Sequence, residues 1–84
     1  LRPKLVIGFS AETDNLEKNS IIKLNEKNCD WIIANDVSNK DIGFNSDFNE
    51  VSIFYKNRKS EVIPKMKKAL LANEIVEKIN QELN

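Results

Sequence analysis

The amino-acid sequence predicts an α/β fold in three layers, and its apolar patterning carries that expectation. Two dense apolar runs, Leu5-Val6-Ile7-Gly8-Phe9 and Trp31-Ile32-Ile33-Ala34, flank a segment with helical spacing. A later apolar stretch faces a short apolar return across a polar turn, and the C-terminal stretch repeats an aliphatic residue every four positions. The predicted order is therefore β-α-β, a long loop, a β-hairpin and a C-terminal helix.

The first run lacks alternation, which suits a strand covered on both faces. It gives way to Ser10-Ala11-Glu12-Thr13-Asp14, which reads as a helix start: Thr13 or Asp14 can cap free N–H groups, and Glu17 stands three after Asp14. The helix should run to about Lys27, with Leu16, Ser20, Ile21 and Leu24 inward, and stop at Asn28, a residue that tolerates the left-handed turn. The second run, closed by Asn35-Asp36-Val37, completes a β-α-β unit, whose crossover favours parallel strands. Residues 39–49 are polar with Gly43, Phe44 and Phe48 embedded, and read as a loop longer than most connections in compact domains. Residues 50–55 and 61–63 suggest a hairpin with a five-residue connection, 56–60. Pro64 suits the first turn of a helix, which should continue from Lys65 to about Leu83 with Leu71, Ile75, Ile79 and Leu83 on one face and Ala72 and Val76 beside them. Two buried-type strands and a hairpin leave little cover for both sheet faces, so further strands are expected from an upstream segment or a second copy of the chain.

With 84 residues the chain is at most one small domain. Thirteen cationic and thirteen acidic side chains cancel, which argues against nucleic-acid binding through surplus positive charge. One Cys and no His exclude an internal disulfide, a Cys-based zinc cluster, and Ser-His or Cys-His catalysis within the chain. No apolar run approaches the roughly 20 residues of a membrane span, and no signal-peptide pattern opens the chain, so a cytoplasmic setting without membrane partners is expected. Lys, Asn and Ile make up 33 of the 84 residues, which weakens any argument from a lone Lys or Asn. Cys29 reads as a small buried residue, with no base beside it in the sequence.

Three stretches, in order and with matching gaps, carry a family resemblance: Gly8-Phe9-Ser10-Ala11-Glu12-Thr13, Asp30-Trp31-Ile32-Ile33-Ala34-Asn35-Asp36-Val37, and Gly43-Phe44-Asn45-Ser46-Asp47 followed by Asn49-Glu50-Val51. From about Val6 to the final helix the chain resembles the C-terminal part of phosphopantothenoylcysteine synthetase. In bacteria that activity is usually the second half of a bifunctional decarboxylase/synthetase of coenzyme A biosynthesis. The resemblance implies a partial Rossmann-like sheet. It also implies a reaction in which CTP, assisted by Mg²⁺, activates 4′-phosphopantothenate as an acyl-cytidylate, and cysteine then displaces CMP. The upstream nucleotide-binding half of the synthetase, and the decarboxylase domain to which FMN belongs, are not in this sequence. On this reading residues 1–84 are a C-terminal portion, expected to be inactive alone and to pair as a homodimer or with the missing half.

In the family pattern the Phe after Gly and two Lys on the following helix contact the nucleotide, and Phe9, Lys23 and Lys27 occupy those positions. Phe9 is expected at the C-terminal end of a parallel strand, where open α/β sheets bind ligands, and Lys23 and Lys27 share a helix face. By residue type alone, Phe9 reads first as a core aromatic and Lys23 and Lys27 as ordinary solvated side chains. Asn35 and Asp36 are candidates for substrate contact or simple turn formers, and Phe44 and Asn45 for a flap, a dimer contact or plain surface. Ser10 stands where Ala is usual in the family. No residue is assigned as catalytic or as a metal ligand. The competing expectation is a dimerising interaction module, or a relic chain that no longer handles nucleotide.

Overall fold

The structure is a computed structural model, and it describes residues 3–37 and 48–84 of the chain. The opening apolar run enters a strand later than its hydropathy suggests. β1 spans Ile7–Glu12, α1 Leu16–Glu26, β2 Trp31–Asp36, β3 Phe48–Tyr55, β4 Ser60–Lys67 and α2 Lys68–Leu83. The strands form one sheet in the order β1-β2-β3-β4. β1 and β2 are parallel, as the β-α-β unit requires, and β2-β3 and β3-β4 are antiparallel.

Each helix covers one face, which makes the expected three layers. On the α1 face, Leu24, Cys29, Ile32, Ala34 and Phe54 pack together with Val6 and Leu16 at their margin. On the α2 face, Trp31, Ile33, Val51, Ile53, Ile63 and Leu71 form the larger core, edged by Leu5, Ile7, Tyr55, Met66, Ile75 and Ile79. Trp31, Ile32, Ile33 and Ala34 are all buried, so β2 is the central strand its unbroken apolar run predicted. Removing these side chains from water is the main term favouring the fold.

Several boundaries differ from expectation, each for a physical reason. β1 starts at Ile7 and extends to Glu12 because the parallel ladder with β2 continues to the pair Glu12↔Asp36, carrying the polar end of the motif into the sheet. The residue before α1 is Asn15, left-handed at φ 45° and making no side-chain cap, in place of Thr13 or Asp14. Asn19 instead reaches back, donating from Nδ2 to the Asp14 carbonyl at 3.1 Å. Ile21 is exposed, about 100° round the helix from Ser20, whereas Leu16, Ser20 and Leu24 face the sheet as expected. Asn28 takes the left-handed conformation (φ 51°), as its role as a stop requires.

The hairpin connection is residues 56–59, one shorter than expected, with Arg58 left-handed at φ 72°. Pro64 does not open a helix. It lies inside β4, an edge strand, where the pairs Asn49↔Met66 and Val51↔Ile63 leave two residues of β4 opposite one of β3. A bulge on an edge strand is one of the few sheet positions that accept a residue without an N–H. Lys65 and Lys67 are consequently strand residues, and α2 begins three residues later than expected, at Lys68. Along α2, Leu71 is buried and Ile75 and Ile79 are half-buried, but Leu83, Ala72 and Val76 are exposed. β3 already begins at Phe48, so Phe48 and Asn49 of the expected loop 39–49 are strand residues, and the remainder of that expected loop lies outside the described residues. The candidates Phe44 and Asn45 lie outside the described residues.

Candidate functional site

Alternation along β1 decides where the motif residues go, because successive side chains of a strand point to opposite faces. Gly8, Ser10 and Glu12 lie on the α1 face, beside Ile32 and Ala34 in the register. Ile7, Phe9 and Ala11 lie on the α2 face, beside Trp31, Ile33 and Asn35. The motif thus contributes to two different sites.

On the α1 face, Lys23 reaches from the helix to the C-terminal end of β1. Its Nζ donates to Glu12 Oε2 at 2.5 Å and to Ser10 Oγ at 3.1 Å. The Ser10 hydroxyl in turn donates to the same Glu12 oxygen. Glu12 is only 8% exposed, whereas the Lys23 side chain is 38% exposed, so the ammonium is the solvent-facing end of the pair. The Lys23 ammonium, with Ser10 and Asn19, holds the Glu12 carboxyl below the usual carboxylate range, against the opposing effect of burial. Lys27 follows one turn later as the exposed C-cap of α1. Asp36, register partner of Glu12, is exposed at the end of β2. Ser20, on the inward side of α1, is fully buried, and its hydroxyl has no hydrogen-bond partner among the described residues.

On the α2 face lies a mainly apolar recess of about 510 Å³, within the ~300–1,000 Å³ usual for small-molecule sites. Phe9, Ala11, Asn35, Asn49, Lys68 and Ala72 are among its walls. Phe9 is 71% exposed. It stands in the middle of β1, not at its tip, and it is no core aromatic. Asn35, half-buried, shares this recess; Asp36 falls on the other face. The structure therefore unites Phe9 with Asn35, and Lys23 with Ser10 and Glu12, but does not bring Phe9 and Lys23 into one recess.

A polar cleft of about 620 Å³ occupies the hairpin end of the sheet, lined by Asp30, Trp31, Tyr55, Glu61, Lys78 and Glu82 among others. The Tyr55 hydroxyl donates to Glu61 Oε1, which also accepts from Lys78 Nζ at 2.9 Å. Burial and the Glu61 carboxylate push the Tyr55 phenol well above its ordinary value, and the Tyr55 and Lys78 hydrogen bonds hold Glu61 down. Trp31 meets Tyr55 edge-to-face, with ring centres 5.2 Å apart.

The expectation that Ser10 and Glu12 open the helix concealed their role as partners of Lys23. The available signal was their even spacing on the motif strand, one residue either side of Ala11. Among the described residues no three His, Cys, Asp or Glu side chains gather into a metal-ligating cluster. No described helix is long and apolar enough to cross a membrane.

Comparison with known proteins places this geometry in a family. The family model of the DNA/pantothenate metabolism flavoprotein C-terminal domain matches residues 1–83. The chain is 38% identical over 78 residues to the coenzyme A biosynthesis bifunctional protein CoaBC of Bacillus subtilis (strain 168), covering 93% of this chain and 19% of that protein. It is 42% identical over 74 residues to the protein of the same name from Escherichia coli (strain K12), covering 88% and 18%. A crystal structure of the C-terminal domain of coenzyme A biosynthesis bifunctional protein CoaBC superposes with a TM-score of 0.76 at 34% identity, over 98% of this chain and 36% of that one. The chain thus spans less than a fifth of the length of these two relatives. With the match running from end to end in both sequence and fold, the chain belongs to the DNA/pantothenate metabolism flavoprotein C-terminal domain family.

Proposed function

We propose that this chain supplies the C-terminal part of the nucleotide site of a coenzyme A biosynthesis enzyme, the ligase that joins 4′-phosphopantothenate to cysteine with CTP. The names of the relatives support the pathway, and the resemblance of the three motifs supports the ligase. The observation that carries the reading is the physical link between motif and helix: Lys23 is tied by its ammonium to Ser10 and Glu12 of the Gly8–Thr13 stretch.

In the proposed reaction a phosphopantothenate carboxylate oxygen attacks the α-phosphorus of CTP and pyrophosphate departs. The cysteine amine then attacks the acyl-cytidylate carbonyl, loses a proton and expels CMP. Negative charge accumulates on the leaving phosphates in the first step, and oriented cations stabilise it most where water is excluded. Lys23, in the last turn of α1, and Lys27, its C-cap four residues on, are the cations this chain contributes. Phe9 lies across the sheet, so a nucleotide touching both Phe9 and Lys23 would pass round the edge or C-terminal end of β1. The chain alone should form no CMP from CTP, phosphopantothenate and cysteine. Titration with CTP, followed through backbone amide shifts, tests the site itself. Localised shifts at Phe9, Lys23 and Lys27 are expected, and no response at millimolar CTP would sink the reading.

A second reading, an interaction module that self-pairs without handling nucleotide, is favoured by one observation. Phe9 is largely exposed on an edge strand, and unpaired edges invite association. A silent CTP titration together with a concentration-dependent sedimentation coefficient would select it.

A further inference from the structure

We infer that Glu12 is a positioning residue for the nucleotide site, clamping the partly exposed Lys23 ammonium at the end of β1, where two of its donors are engaged among the described residues. The inference rests on the nucleotide reading of Lys23. It adds a residue with a role of its own, distinct from direct contact with the ligand.

An ammonium has three N–H donors. Two of Lys23's are committed, to Glu12 Oε2 at 2.5 Å and Ser10 Oγ at 3.1 Å. The Ser10 hydroxyl spends its own proton on Glu12, so it can receive the lysine's donor without conflict. All three groups thus have one self-consistent arrangement of protons. The carboxylate lies beneath and the ammonium above, as their exposures show, so an anion arriving from solvent meets the positive end first. A free lysine samples many rotamers and loses that freedom on binding. Glu12 and Ser10 impose that loss beforehand, which for one long side chain corresponds to roughly three- to tenfold in affinity. The opposing effect is charge: a carboxylate near a triphosphate repels it. Two features favour positioning over repulsion. The carboxylate is neutralised at contact distance, and it is the deeper member of the pair.

The test is CTP affinity of the 84-residue chain and its variants, with the Lys23 ammonium observed directly by ¹H–¹⁵N NMR. Wild type should show a protected Lys23 ammonium signal. Glu12→Gln keeps an acceptor but loses the charge, and should weaken CTP binding roughly threefold; Glu12→Ala should weaken it up to about tenfold and abolish the ammonium signal. Should Glu12→Ala fail to fold, Glu12→Gln decides. In a Lys23→Met background the Glu12→Gln change should have no further effect, because its influence passes through the lysine. Equal or tighter CTP binding by Glu12→Gln would overturn the inference, as would the same loss in both backgrounds. If Lys23→Met alone leaves CTP affinity unchanged, the nucleotide reading of the lysine fails first and the positioning role falls with it.

Discussion

Gly8 shows how little room the sheet leaves beneath α1. A Cβ built there would stand 2.8 Å from Ile32 Cδ1 and 3.2 Å from Cys29 Sγ. Ile32 and Cys29 are both buried, so the Ile32 side-chain end must shift within a packed interior to admit the methyl. Gly8→Ala should therefore destabilise the chain by about 1–2 kcal/mol, the usual cost of a methyl forced into a packed interior. Urea unfolding measures it, and an unchanged midpoint would show that Ile32 repacks freely. Ser20 is the opposite case. Its hydroxyl is buried without a partner among the described residues, so the helix carries a desolvation cost at that position that they do not offset. Ser20→Ala removes the polar atom and gains helix propensity, and should stabilise by about 1 kcal/mol. A loss of stability on the same unfolding curve would mean that the hydroxyl makes a bond after all.

Among the elements, β2 was the most legible in the sequence, because burial on both faces leaves an apolar run that needs no partner to be recognised, whereas β1, with Phe9 exposed, is covered less fully than its apolar run suggests. Ile32, Ile33 and Ala34 are of this kind, and Asn28 was legible as a helix stop for a separate reason, its tolerance of the left-handed conformation it adopts. The second half was less legible because Pro64 suits two contexts, a first helical turn and an edge bulge. The pairing of Asn49 with Met66, which the local sequence does not encode, selects the bulge. The same applies at the site. The family resemblance points to Lys23 and Phe9, but the face each occupies depends on β1 continuing to Glu12, and that follows from the ladder with β2. The turn between β3 and β4 carries its own signature of strain, since Arg58 is left-handed. For a residue with a Cβ that conformation costs ~1–2 kcal/mol, and glycine escapes it while giving back ~0.5–1 kcal/mol of unfolded-chain entropy. Arg58→Gly should accordingly raise stability by about 0.5 kcal/mol, read as a higher urea midpoint at unchanged slope. A lower midpoint would mean that the arginine side chain contributes more than its backbone costs.

At the scale of the molecule, two clusters of hydrogen bonds tie the helices to the sheet, and their titration should shape its stability. Glu12 with Lys23 and Ser10 binds α1 to β1; Glu61 with Lys78 and Tyr55 binds α2 to β4 and β3. Both carboxyls are held below their ordinary value in the folded state. Each therefore contributes stability that is present above the unfolded carboxylate pKa, near 4.3, and is lost as pH falls through the lower folded value. Tyr55 works at the other end of the scale. Its phenol is raised in the folded state, so its contribution is whole below about pH 10, the unfolded value, and declines as pH rises beyond it. With no histidine in the chain, no imidazole titrates between these limits. Stability should thus be nearly flat from about pH 6 to 8 and fall on both sides. Tyr55→Phe should remove part of the alkaline fall, and Glu61→Gln should shallow the acid one. Because Glu61 is partner to Tyr55, Glu61→Gln should also soften the alkaline limb, whereas Glu12→Gln, at the opposite end of the sheet, should leave it unchanged. Urea midpoints collected across pH for the four chains decide the matter. Parallel alkaline limbs for wild type and Tyr55→Phe would show that the phenol at the hairpin end is not what governs stability there.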